Sequence, residues 1–158
     1  FASAMDYNNF FINHQQNIGK QLMAFGNDEN AMKDTAVGFK HIDKIVQASN
    51  TALDEMKNIE VYDKGQPMYD AAKELFAFYR DMADNDYREM VRISSKGQNM
   101  TTEDKLRLLK VANAIGPRER PLDSTMRAAQ QAFAQHHDIT LEESDLQKEF
   151  DDMDEKPQ

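Results

Sequence analysis

A narrow, largely apolar stripe constrains the fold of this chain more than any other feature of its sequence. The stripe recurs at alternating steps of three and four residues: Met32, Thr35, Phe39, Ile42, Val46, Ser49, Leu53 and Met56. This spacing lines one side of an α-helix, whereas a β-strand repeats every two residues. A stripe this narrow packs against similar stripes on neighbouring helices, so the sequence predicts an all-α helical bundle.

Composition indicates one globular domain and excludes several function classes. The chain has 158 residues, of which 40% are hydrophobic and 30% are charged, and it contains no cysteine. The lack of cysteine excludes disulfides, thiolate metal sites and cysteine nucleophiles. A net charge of −9 argues against nucleic-acid binding because acidic surfaces repel phosphate backbones. No apolar run reaches the roughly 18 residues that predict a transmembrane helix.

Four long helices are predicted from the stripes and from end signals. The predicted bounds, in chain order, are 5–25, 28–58, 67–96 and 102–137. Gly26 is the predicted left-handed stop of the first helix, and Asn27 or Asp28 is the predicted cap of the second. Pro67 suits the first turn of the third helix, and Gly97 is its predicted end. Thr101 to Asp104 (Thr-Thr-Glu-Asp) is a strong start signal for the fourth helix.

Two prolines make the fourth helix ambiguous. Pro117 and Pro121 each remove a helical hydrogen bond, which favours two separate helices. The apolar stripe nevertheless keeps its phase from Leu108 to His136, which favours one helix kinked or broken at Gly116-Pro117. With short connections between helices 1 and 2 and between helices 3 and 4, the sequence predicts an up-down-up-down four-helix bundle.

The two ends of the chain differ from the predicted bundle domain, residues 1–138. Residues 139–158 form an acidic tail with eight Asp or Glu and two Lys, a net charge of −6. A Thr140/Glu143 capping box predicts a short helix from Leu141 to Phe150 within this tail. At the other end, Phe1-Ala2-Ser3-Ala4 ends in the Ala-x-Ala pattern of a signal-peptidase cut, although vector-derived residues explain it equally well.

Several segments of the predicted helices together form a pattern found in a known family. They are Tyr7-Asn8 with Gln15, Leu75-Phe76-Ala77-Phe78-Tyr79, Asn85-Asp86-Tyr87, Thr102-Glu103-Asp104, and Ala128-Ala129-Gln130-Gln131-Ala132-Phe133-Ala134 leading to His136 and Ile139. With these segments, residues 5–141 resemble uncharacterised bacterial surface lipoproteins. The resemblance implies a helical bundle, export to the periplasm or the outer-membrane-tethered cell envelope, and a lipid-bearing cysteine upstream of the residues shown. It implies no activity. His14, where the family has a carboxylate, and the two prolines depart from the pattern.

A polar layer within the bundle is the first candidate site. His14 and Asp86 occupy otherwise apolar stripe positions at nearly the same height, so we expect them to face one another in the core. A buried carboxylate without a partner costs several kcal/mol, and Arg118 beside Pro117 is a second possible donor for Asp86. With Tyr79, these three residues are the candidate ligand-binding residues. A structural polar pair that fixes helix register explains the same pattern.

Other chemistry has little support in the sequence. There is no Glu-x-x-His motif for a bundle di-iron site. His136 and His137 are adjacent, and neighbours on a helix point about 100° apart, so both seldom reach one ion. Met5 and His136 match the positions of haem ligands in some bundle cytochromes, but no Cys-x-x-Cys-His attachment motif is present. We therefore predict no catalytic residue, no metal site and no cofactor.

The function predicted from the sequence is contact rather than catalysis. Ten methionines, most of them on or near the stripes, fill a core or line a groove for a partner helix. We expect a non-enzymatic, exported surface or periplasmic interaction module that binds a protein or small ligand and meets the membrane only through a lipid anchor. The alternative is a carrier of a small ligand or cofactor, haem being the best-fitting cofactor, in a cavity near the Pro117 bend.

Overall fold

Every regular element in the described part of the chain, residues 1–141 of a computed structural model, is helical. The elements are α1 (Ala4–Asn27), α2 (Thr35–Met56), α3 (Gln66–Asp81), a π-helical segment (Met82–Tyr87), α4 (Arg88–Ser94), a 3-10 turn (Gly97–Asn99) and α5 (Thr102–His136). The all-α prediction is confirmed for these residues. The short helix predicted from Leu141 to Phe150 lies, except for its first residue, outside them.

Helix α1 starts one residue before its predicted start, and the predicted stop at Gly26 is wrong. Ser3 caps the start, where its hydroxyl oxygen accepts a hydrogen bond from the Asp6 backbone N–H at 3.1 Å. Gly26, however, lies inside the helix, and Gly97 (φ 57°) is the glycine with positive φ among residues 1–141. The helix ends instead at Asp28, whose backbone is extended and whose N–H bonds the Phe25 carbonyl.

Helix α2 begins seven residues later than predicted. Asp34 is its cap, and the carboxylate accepts hydrogen bonds from the N–H groups of Ala36 and Val37. Asp28 uses its carboxylate differently: one oxygen accepts from the Asn30 N–H at 2.9 Å, which folds the chain into a turn. The prediction failed because both aspartates are good caps and their sequence contexts do not rank them.

The buried side of α2 lies close to the predicted stripe. The fully buried residues on this helix that carry side chains are Ile42, Ile45, Ser49, Ala52 and Met56. The stripe residues Phe39, Val46 and Leu53 are half-buried and pack against the edges of the core. The buried side of α2 was thus predicted correctly, although the centre of the buried stripe lies about one residue position away from the centre of the predicted stripe.

The third predicted helix contains a π-helical segment at its middle. Pro67 lies in the first turn of α3, as predicted. The segment Met82–Tyr87 then separates α3 from α4, and the chain turns at Gly97. Wider π turns insert an extra residue into a helix and often occur at functional sites. No sequence feature predicted this one.

Helix α5 is continuous through both prolines. It runs from Thr102 to His136, so the chain is not broken at Pro117 or Pro121. A bend at Gly116-Pro117 stays a prediction. The predicted start is confirmed, because the Thr101 hydroxyl accepts from the Asp104 N–H and the Asp104 carboxylate accepts from the Thr101 N–H, both at 3.0 Å.

The core consists of two clusters, and α5 contributes to one of them. The first, the Tyr7 cluster, draws on α1, α2, α3 and α5 and contains Ala4, Tyr7, Phe11, Ile18, Ala52, Met56, Met68, Ala71, Ala72, Leu75, Phe76, Met126 and Phe133. The second, the Phe25 cluster, contains Phe25, Ala31, Ile42, Ile45, Ala83 and Val91, none of which belongs to α5. The first half of α5 therefore lies outside both clusters and contacts α4 at the molecule's edge.

Gly38 lies where α2, α4 and the turn before α2 pack closely against one another in the Phe25 cluster. A Cβ atom at this position would overlap the Ala31 carbonyl oxygen and lie 2.7 Å from a Val91 methyl group. The absence of a side chain at Gly38 therefore lets α4 approach α2 closely. None of the helices in residues 1–141 is both long and apolar enough to cross a bilayer.

Candidate functional site

Three of the four predicted ligand-binding residues come together where the π-helical segment meets α5. Arg118 Nη2 donates to Asp86 Oδ2 at 2.8 Å, and the Arg118 guanidinium lies 5.3 Å from the centroid of the Phe78 ring. The Tyr79 hydroxyl donates to Glu119 Oε1 at 3.5 Å. Of the two hydrogen-bond donors considered for Asp86, His14 and Arg118, the structure has Arg118. We call these two pairs the polar network, and each of the four groups has its partner within the chain.

Burial raises the pKa values of two phenols at this junction, Tyr79 of the polar network and the neighbouring Tyr87. The pKa of Tyr87 is raised to about 12, chiefly by burial and then by the charges of Glu119 and Asp86. The pKa of Tyr79 is raised well above its ordinary value by burial and by the charges of Glu119 and Asp123. At neutral pH both phenols are therefore hydrogen-bond donors and not bases or nucleophiles.

His14 lies apart from that network, and its predicted pairing with Asp86 is wrong. His14 Nε2 lies 2.6 Å from Glu55 Oε2, and the ring packs edge-on against Phe10. Matching heights along two helices did not fix the direction of either side chain: His14 points to α2, and Asp86 points to α5. His14 instead borders a surface cavity of about 220 Å³ between α1 and α2, lined also by Asn17, Gln21, Lys44, Gln47, Ala48 and Thr51.

The first turns of α5 expose two leucines that sequence reasoning did not single out. Leu106 and Leu109 are 62% and 58% exposed, and they lie one turn apart on the same side of the helix. Lys105 and Lys110 flank them and are also exposed. We call these four residues the Leu106 face. The sequence did indicate this exposure, because neither leucine lies on the apolar stripe that begins at Leu108.

Ion pairs rather than a broad apolar contact fix this part of α5. Arg107 bonds both carboxylate oxygens of Glu89, at 2.6 and 3.1 Å, and this hydrogen bonding lowers the pKa of Glu89. Lys96 Nζ lies 3.2 Å from both carboxylate oxygens of Asp104. Val111 is the buried apolar residue on α5 between its start and Met126. The helix is thereby held in place while its outer side stays open.

The charge of this region is opposite to that of the whole chain. Residues 105–120 contain five Lys or Arg and one Glu, a net charge of +4 in a chain of net charge −9. Lys105 and Lys110 form no ion pair with another residue in the range 1–141. The Leu106 face thus combines solvent-exposed apolar surface with uncompensated positive charge.

Of the two candidate haem ligands, His136 pairs with Asp63 and Met5 is exposed. His136 Nε2 lies 3.3 Å from Asp63 Oδ2, and Met5 is partly exposed at the start of α1. Comparisons with models of protein families, with curated proteins and with solved structures find no match to this chain. The residues and contacts of the chain itself therefore supply the argument for its function.

Proposed function

We propose that this protein is a non-catalytic interaction module of the cell envelope that binds an acidic partner protein through the Leu106 face. The observation that carries the proposal is the exposure of Leu106 and Leu109 between two lysines that have no acidic partner in the described chain. Apolar surface ringed by polar residues marks interaction sites on soluble domains. The lysines give this face electrostatic complementarity to acidic surfaces, which raises association rates and specificity.

The dimensions of the face favour a protein over a lipid surface. Helices that lie in a membrane interface need a wide apolar side, rich in large residues along several turns. Here the apolar part consists of two leucines, and the next outward position along the helix, Asn113, is polar. Two leucines are enough to anchor a helix of a partner in a small groove, where a few buried residues supply most of the binding energy.

A contact role fits the polar network better than the role of a ligand carrier. Tyr79, Asp86 and Arg118 are bonded to partners within the chain, and His14 lies in another part of the molecule. A ligand at the Pro117 bend would have to replace these internal bonds before it gained any of its own. A partner that binds the exposed lysines of the Leu106 face does not have to break bonds within the chain.

The proposal includes an up-down-up-down order for the helices and a bend in α5 near Pro117. In support, α1 contacts α2, α2 contacts α3, and α3 contacts α5. The Tyr7 and Phe133 rings, 5.3 Å apart between centroids, join the first helix to the last. A bend near Pro117 would let the second half of α5 follow the Tyr7 cluster while the first half follows α4.

Export and lipid anchoring are also part of the proposal. They rest on the resemblance of residues 5–141 to surface lipoproteins. Protease treatment of intact and lysed producing cells tests this part separately. Degradation in intact cells supports surface display, whereas protection until every membrane is broken contradicts export.

Site-specific photo-crosslinking in the producing cell tests the contact proposal. The photo-reactive residue benzoylphenylalanine replaces Leu109 in one version of the full chain and the exposed Lys73 of α3 in the control version. We expect a covalent adduct from position 109 that position 73 does not give. Mass spectrometry of the adduct should place the crosslink in an acidic segment of another protein.

Charge reversal makes this experiment decisive. In the version with the crosslinker at 109, K105E together with K110E should abolish the adduct while the helical content of the protein stays the same. Identical adducts from positions 109 and 73 would overturn the proposal, as would an adduct that survives charge reversal. An adduct with twice the mass of this chain, or with lipid, would replace the acidic partner protein by self-association or membrane contact.

A further inference from the structure

Three metal-ligating side chains converge where the loop between α2 and α3 meets the end of α5. His136 Nε2 lies 3.3 Å from Asp63 Oδ2, and His137 Nε2 lies 4.0 Å from the same oxygen. One ligand atom from each of the three residues lies within 4.8 Å of the others. Both Asp63 and His136 are largely open to solvent, with side chains 67% and 47% exposed.

The end of α5 explains how two adjacent histidines reach one point. The helix ends at His136, and His137 has φ −99° and ψ 5°, outside the helical conformation. The two rings are nearly perpendicular, with centroids 4.8 Å apart. The expectation that neighbouring helical side chains diverge by about 100° fails here, since the second residue has left the helix.

Aromatic packing holds the His137 ring in place before any ion binds. The His137 ring packs against Phe133 and Tyr62, with centroids 4.5 and 5.3 Å away. Tyr62 directly precedes Asp63 and stacks on Tyr7 in the Tyr7 cluster. The His136 ring and the Asp63 carboxylate are the exposed ligands, and an ion that binds them must order both side chains.

We propose that Asp63, His136 and His137 bind one divalent transition-metal ion of the Zn²⁺ type. Two imidazoles and one carboxylate are a ligand set for Zn²⁺, Co²⁺, Ni²⁺ or Cu²⁺ rather than for Mg²⁺ or Ca²⁺. Ligands about 2.0–2.1 Å from a tetrahedral ion lie roughly 3.3 Å from each other. The Asp63–His136 separation of 3.3 Å matches this value, and His137, at 4.0 Å from the same carboxylate oxygen, must move closer when the ion binds. The exposed side of the site leaves the fourth position to water. The inference is independent of the Leu106 face.

Binding requires a proton shift on His137. Its Nε2 lies 2.7 Å from the Asp63 carbonyl oxygen, and since a carbonyl only accepts, this nitrogen carries the proton. Coordination through Nε2 moves the proton to Nδ1 and replaces the hydrogen bond by a bond to the metal. The ion would then join the α2–α3 loop to the end of α5 and stabilise the native state by mass action.

Calorimetric titration of the full chain with ZnCl₂ tests the site. The protein is first freed of metal with a chelator, and excess Mg²⁺ is kept in the buffer to occupy sites made only of oxygen ligands. We expect one Zn²⁺ per chain, a higher melting temperature with Zn²⁺, and a Co²⁺ absorption spectrum typical of imidazole ligation. H136Q should bind at least about tenfold more weakly, the scale that loss of even outer-shell partners produces.

His41 provides the matched control for this experiment. Its Nε2 lies 2.8 Å from Asp28 Oδ2, so it is a histidine–aspartate pair without a second histidine. H41Q should leave the Zn²⁺ affinity unchanged, whereas H136Q should lower it and keep the melting temperature of the metal-free protein. Equal affinities of H136Q and the parent chain would overturn the proposal, as would the absence of Zn²⁺ binding in the buffer that contains Mg²⁺.

Discussion

Two glycine-to-alanine substitutions in neighbouring helices should change stability in opposite directions. Alanine is favoured over glycine inside a helix by about 0.5–1 kcal/mol. At Gly26 no atom lies within 4 Å of an added Cβ, so G26A should stabilise the protein by up to that amount. At Gly38 the added Cβ overlaps the Ala31 carbonyl oxygen and lies 2.7 and 2.8 Å from the two Val91 methyl groups. Overpacking of a tight core costs about 1–3 kcal/mol.

The overlap at Gly38 cannot be relieved by a side-chain movement alone. The nearest atom belongs to the backbone of the turn before α2, so that turn and the helix must move apart. After subtraction of the helix-propensity gain, G38A should lower the free energy of unfolding by about 1–2 kcal/mol. Urea unfolding followed by far-UV circular dichroism measures both variants against the parent chain. A higher urea midpoint for G38A than for the parent would refute the close approach as the reason for glycine at this position.

Three further substitutions or conditions test individual contacts. Y7F removes a buried hydrogen bond of 2.8 Å to the α2–α3 loop and keeps the ring, so it should cost about 1 kcal/mol in urea unfolding. T101A removes one half of the capping box with Asp104, and we expect a loss of about 0.5–2 kcal/mol by the same assay. Tyr79 and Tyr87 have raised pKa values in the native state, so their phenols ionise first in the unfolded chain. Stability should therefore be fully present below about pH 10 and should fall as the pH rises from there toward 12, with a smaller fall in Y87F. Urea midpoints that stay constant across this range would contradict the burial of these phenols.

The sequence predicted those parts of the fold that depend on local chemistry. The capping box of Thr101 and Asp104, Pro67 in the first turn of α3 and the apolar side of α2 each follow from interactions within a few residues. The start of α2 was wrong because Asp28 and Asp34 are equivalent by local rules. What distinguishes the two aspartates is a contact with a residue distant in sequence, because Asp28 also pairs with His41 of α2.

The candidate site was predicted only in part because side-chain direction and helix distortion are not local properties. Asp86 lies in the π-helical segment and pairs there with Arg118. No residue pattern in 82–87 predicts the extra residue that a π turn contains. The partner of His14 is Glu55, which lies next to the buried Met56 of α2, and no sequence signal singled it out. Asp63 and His137 meet only because a loop and a helix end are packed on the same aromatic cluster.

The exposure of Leu106 and Leu109 follows from the length of α5. A helix of 35 residues is about 52 Å long at 1.5 Å per residue, and the Tyr7 cluster uses only its second half. At the other end, the Phe25 cluster is built from α1, α2, the π-helical segment, α4 and Ala31. Within residues 1–141, the first half of α5 buries Val111 but belongs to neither cluster. Leu106 and Leu109 thus contribute little to folding, and their exposed area is available to a partner. Ion pairs with Glu89 and Lys96 hold this half of the helix without covering those leucines, which is the arrangement that an interaction surface requires and a folding core does not.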